Sequence, residues 1–152
     1  MNIFCLDRDP QKAAYYHCDK HASKMILEHV QMMCTILNEQ KVNTPYKTVH
    51  KNHPCTRWLR ESINNWIWVR DLTFFLNEEC KFRNEHNRDH KSFTVMEGLP
   101  LPRLPVIEMT PFALAMPDDC KTDDPVESYR NYYRLHKTHI HNWKRRKKPS
   151  WL

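Results

Sequence analysis

The sequence predicts an all-α protein: a compact bundle of three main helices, a proline-rich segment wrapped over it, and a basic C-terminal tail. Three observations carry this. Two long stretches repeat apolar residues every three or four positions, the period of a helix with one buried face. The 152 residues contain one glycine, Gly98, so tight hairpins and glycine-built phosphate loops have little to draw on. Prolines 100, 102, 105, 111 and 117 exclude a long helix between them. The length suits a single helical domain over residues 1–143, followed by a basic and aromatic tail over 144–152.

Taken in order, Asn2 to Leu6 is a short strand-like run stopped by Asp7 and Pro10. Asp9 can cap a helix that begins at Pro10, whose missing N–H costs nothing in a first turn. The first long helix is expected over about 10–38. Tyr15, Ala22, Ile26, Val30, Met33 and Leu37 form one stripe of it; His17, His21, Lys24, Glu28 and Gln31 form the opposite, solvated one. A second helix opens at His53 and Pro54 and runs to about residue 83, with Trp58, Leu59, Ile63, Trp66, Val69, Leu72, Leu76 and Cys80 facing the first. Residues 92–124 are expected as an extended wrap in which Leu99, Leu101, Leu104, Val106 and Ile107 need cover. Within it, Thr110 and Pro111 start a short helix through Met116. Asp124 caps, with Glu127 three residues on, a last helix over 125–143.

Cys5, Cys18, Cys34, Cys55, Cys80 and Cys120 include no C-x-x-C pair, which argues for reduced core thiols and against a disulfide scaffold. No apolar run is long enough to cross a bilayer, and the start MNIFCLDRDP is not signal-like, so a soluble cytoplasmic protein is expected. Charge is loaded at one end. Residues 125–152 carry eight Lys or Arg against Glu127 alone, a local net of +7 in a chain of net +6, so residues 1–124 carry −1. Tyr129, Tyr132, Tyr133, Trp143 and Trp151 are interleaved with these cations. Such a mixture can stack on bases and meet phosphates, which points to a nucleic acid as partner.

The polar stripe of the first helix holds two imidazoles, an ammonium and a carboxylate, close enough to act on one ligand. The loop before the second helix adds His50, Lys51, His53, Cys55 and Arg57 to the same surface. With His17, Cys18 and His21 this loop could supply zinc ligands, but neither spacing matches a standard zinc motif, so no metal or other cofactor is expected.

The segments L-D-R-D-P, Y-H-C-D-K-H-x-x-K-M-I-L-E, H-K-N-H-P-C-x-x-W, M-T-P-F-A-x-A-M-P, Y-R-N-Y-Y and K-x-P-x-W together resemble a group of small phage proteins. More distantly, the chain is similar to the phage pyrimidine-dimer DNA glycosylase (endonuclease V) family. That resemblance implies an all-helical body acting on a flipped-out DNA lesion, with a His and, seven residues later, a catalytic Glu, positions matched here by His21 and Glu28. It also implies an N-terminal amine as Schiff-base nucleophile. This chain departs from that pattern in having Met1 before the bulky Asn2, and Leu27 where the family has an Arg. Met1 is favoured over Lys24 as the amine, because an α-amine titrates near 8 and a lysine near about 10.4, and a Lys24 paired with Glu28 is held as ammonium.

On this reading Met1, Lys24, Glu28 and His21 form the catalytic set, with His53 helping to orient or shuttle protons. His50, Lys51, His53, Arg57, Arg130, Arg134, Lys144, Arg145 and Arg146 then meet DNA, and Tyr129, Tyr133 and Trp151 stack. The alternative is a non-catalytic phage factor that binds nucleic acid or a host protein and does not require Glu28.

Overall fold

The computed structural model describes all residues 1–152 and is all-helical, with six α-helices and no strand. These are α1 (Pro10–Tyr16), α2 (Asp19–Glu39), α3 (Pro54–Glu61), α4 (Ile63–Asn84), α5 (Lys91–Glu97) and α6 (Pro125–His136). Short 3-10 turns lie at Asp118–Cys120 and Thr138–Ile140. One hydrophobic core joins residues from 3–6, α1 to α6 and Phe112 of the wrap. All six cysteines are free and buried in the chain. No helix is long and apolar enough to cross a membrane.

Both long helices of the sequence reading are broken, and tertiary contacts explain each break. The expected helix over 10–38 divides at His17 and Cys18, which are extended. The freed carbonyls at the end of α1 are capped by a buried guanidinium from α4: Arg83 donates to the carbonyls of His17 (2.7 Å), Tyr15 (3.1 Å) and Ala14 (3.4 Å). Across the break, Cys18 N donates to the Tyr133 hydroxyl and Asp19 N to the carbonyl of Asn142. The expected helix over 54–83 divides at Ser62, whose hydroxyl accepts from Asn64 N as a cap and donates to the carbonyl of Ile107 at 2.6 Å. Ile63 N also donates to the carbonyl of Pro105, so the break is where the wrap docks.

The wrap itself is extended, but no helix forms over 110–116. Its backbone groups are held by side chains instead: Thr110 N donates to Asn65, Trp58 Nε1 donates to the Thr110 carbonyl, and the Ala113 carbonyl accepts from Tyr129. Phe112 is the anchor, 4.8 Å between ring centroids from both Trp58 and Trp68. Leu101, Val106 and Ile107, expected to need cover, are exposed. The segment also opens with a helix that the prolines concealed, α5, capped by His90.

The last helix stops at His136 rather than near 143. Beyond it the chain turns back, and Trp143 Nε1 donates to the carbonyl of Tyr16 at 3.0 Å. The supposed free tail is docked: Pro149 is buried, Trp151 and Leu152 are half-buried, and Arg146 pairs with buried Glu79 at 2.6 Å.

Glu79 also accepts from Arg83 at 2.8 Å, so one buried carboxylate and one buried guanidinium join α1, α2, α4 and the chain end. Arg83→Ala is expected to lower unfolding free energy by about 3–5 kcal/mol, since it leaves the α1 carbonyls without a donor and buried Glu79 with Arg146 as its remaining partner. Denaturant melts check this; a loss under about 1 kcal/mol would contradict the role given to Arg83.

Candidate active site

The polar stripe of α2 is not a solvated face. Residues 1–6 lie over it as an irregular buried segment, leaving His17, His21 and Glu28 buried and Lys24 exposed. Residues 2–6 form no strand; side chains hold the segment in place. Asn2 Nδ2 donates to the carbonyl of Ala115 at 2.8 Å. Asn2 Oδ1 accepts from Ile3 N (2.8 Å) and Cys55 Sγ (3.4 Å), and it shares, at 3.2 Å, the one Tyr129 hydroxyl proton whose shorter bond, 2.6 Å, goes to the Ala113 carbonyl. Burial pushes the Cys55 thiol up to about 11, so it stays protonated and donates.

Pinned this way, the start of the chain delivers its amine to a carboxylate. The Met1 α-ammonium lies 3.5 Å from Glu28 Oε2, and both side chains are almost covered, 6% and 11% exposed. Asn2 N donates to the same oxygen at 2.9 Å, while Lys24 Nζ stands 3.9 Å from the other. His53 completes the group. It caps α3, with Nδ1 accepting from Cys55 N at 3.1 Å, which leaves Nε2 as the protonated ring nitrogen. Burial, then the positive Met1 amine and His50, hold its pKa below the usual value, against the pull of Glu28. His50, Lys51 and Arg57 are exposed around it, and no ion pair engages the Lys51 or Arg57 side chain.

Other candidates fall elsewhere. His21 lies in the core, its ring 4.5 Å from that of Phe4 and its Nδ1 2.8 Å from the Tyr133 hydroxyl. Its hydrogen bond goes to Tyr133 and not to Glu28, and burial holds its pKa down to about 2, so it is a neutral strut and not a proton relay. Tyr129 and Tyr133 are fully buried and cannot stack on a base in this fold. Tyr129 is instead the residue that positions Asn2, a role that one-dimensional spacing does not reveal.

The C-terminal arginines are engaged internally. Arg130 donates to the Leu6 carbonyl and pairs with Asp7, and its guanidinium lies over Tyr16 and Trp151. Arg134 pairs with Glu127 and donates to the carbonyl of Trp151. Arg145 donates to the Phe82 carbonyl and lies over its ring; Arg146 lies over Tyr15 and Phe82. Trp151 thus packs under two arginines and is no free stacking platform. Lys144, Lys147 and Lys148 remain exposed, without an ion pair.

His17, His21, His50, His53 and Cys55 do not converge as a ligand set. The group of three donor side chains that does converge is Asp119, Cys120 and His136, within 4.8 Å of one another, and His136 Nε2 is 2.9 Å from both Asp119 carboxylate oxygens.

No protein-family model, curated protein or solved structure matches this chain. What the geometry itself defines is a helical body that holds a primary amine against a shielded carboxylate, beside a neutral imidazole.

Proposed function

We propose that this protein binds DNA in the cytoplasm of a phage-infected cell and acts there as a glycosylase and abasic-site lyase on damaged or modified bases. The observation that carries the reading is the Met1 amine 3.5 Å from Glu28. The resemblance to the phage pyrimidine-dimer glycosylases points the same way. Glu28 takes the amine proton, freeing the nitrogen lone pair to attack the sugar C1′ as the C1′–base bond breaks; the electron pair leaves with the base, which takes up the proton held by Glu28 and so regenerates the carboxylate. The carboxylate then steadies the cation that forms at C1′, and the proton still carried by the attacking nitrogen passes through Glu28 to O4′ as the C1′–O4′ bond breaks and the protonated imine forms, with His53 as the further proton carrier. Lys51 and Arg57 meet phosphates beside the site.

Borohydride reduction during incubation with abasic-site DNA and with dimer-containing DNA tests this. A covalent protein–DNA adduct mapping to the Met1 peptide is expected; no adduct on either DNA overturns the reading. A second reading, a non-catalytic factor that binds DNA or a host protein, is favoured by the close covering of the Met1 side chain, 6% exposed. Under it the amine and Glu28 are a structural staple, and DNA binds without an adduct.

A further inference from the structure

We infer that the cleft between α2, the segment 46–49 and the start of α5 seats the phosphodiesters of the DNA strand next to the reacting sugar. This rests on the DNA reading above and moves the backbone contacts away from the C-terminus. The cleft has a volume of about 530 Å³, the size of a nucleotide-scale ligand site. Lys24, Lys47 and Lys91 line it from three separate elements, and no carboxylate does. Lys47 and Lys91 are exposed and make no ion pair, in contrast to the arginines of the chain end. Leu27, 38% exposed, and Tyr46 supply the apolar part of the wall.

Lys24 ties the cleft to the amine site, since the same ammonium stands 3.9 Å from Glu28. A strand laid along the three ammoniums therefore passes directly beside the Met1–Glu28 pair. Two unpaired cations and a third shared with Glu28, set in one concave wall, raise the local potential for a polyanion more than the same charges scattered over a convex surface. Phosphate is the ligand chemistry that matches them, as ammonium groups bind it without demanding a fixed geometry.

The test is anisotropy of a labelled short duplex carrying a tetrahydrofuran abasic analogue, measured over a range of salt. Lys47→Ala with Lys91→Ala should weaken binding about tenfold near physiological salt and flatten the log K against log salt slope by about 2, one phosphate contact per lysine. Lys12→Ala with Lys41→Ala changes the charge equally away from the cleft and should alter neither. An unchanged slope in the cleft variant, equal losses in both variants, or tighter binding of an RNA of the same length overturns the proposal. Its failure separates from that of the lyase reading. Wild-type adducts with an unchanged slope remove the cleft alone; a lost slope without wild-type adducts removes the lyase alone.

Discussion

Glu28→Gln is expected to reduce borohydride-trapped adduct and base release by on the order of a hundredfold or more, while affinity for DNA holds or rises. The substitution keeps the size of the side chain and an oxygen to accept from Asn2 N, which donates to Glu28 at 2.9 Å. What it removes is the negative charge 3.5 Å from the Met1 ammonium. Without that charge the amine loses its proton acceptor, and a cationic sugar loses its counter-charge in a nearly water-free place where such charge counts most. Affinity has less reason to fall, because deleting a carboxylate near a polyanion relieves repulsion. Single-turnover rates and anisotropy on the same DNA separate the two effects. Full activity in Glu28→Gln would remove the catalytic reading and leave the binding factor.

Acid is expected to unfold the protein early, with about 5 kcal/mol lost between about pH 7 and about pH 5. Three histidines are responsible. Burial holds His17 down to about 4, His29 to about 3 and His21 to about 2, against an ordinary value of 6.5. His17 Nδ1 donates to the Ala13 carbonyl and His29 Nδ1 to Thr73, and the Nε2 of each ring is buried without a partner, so a second proton would place an unpaired charge in the core. The unfolded chain protonates all three near 6.5, so below that pH it binds more protons than the folded chain. Their contribution is therefore complete above about 6.5 and falls by roughly 1.4 kcal/mol per histidine for each pH unit below it, until the folded values are reached. That is on the order of the whole stability of a small domain. Denaturant titrations at the two pH values check it; equal midpoints would mean that the three rings accept protons in the folded state.

The helix class, the caps at Asp9 and Asp124, and the apolar stripes of α2 and α4 follow from residue type and spacing. The resemblance singles out Glu28 and Met1, and the fold alone sets them 3.5 Å apart. The breaks at His17–Cys18 and at Ser62 were harder to read. At the first, the helical pattern continues through the interruption, and the groups that reward the break, Arg83 and Tyr133, lie more than sixty residues away in sequence. The second carries a local signal, Ser62 with Asn64 and Asn65 two and three residues on, which the strong apolar period outweighs.

Net charge has a similar limit. The run of cations at the chain end has the composition of a polyanion-binding tail, but composition does not say whether a guanidinium faces water, and Arg146 finds Glu79 at 2.6 Å while Arg134 finds Glu127 at 2.6 Å. Lys47 and Lys91 are 44 residues apart in sequence, and only the packing of α5 near α2 makes them neighbours.

Periodicity and capping act within a few residues, so they suffice for which segments are helical and which face is apolar. Whether the other face meets water depends on what the rest of the chain lays over it. The stripe His17, His21, Glu28 has the alternation of a wet surface, and Asn2, held by Ala115, Cys55 and Tyr129, draws residues 1–6 across it and turns it into a shielded amine–carboxylate pair. Those anchors come from three distant parts of the chain, and a group's burial, ion pairing and proton affinity are set by such long-range neighbours, which no local pattern encodes.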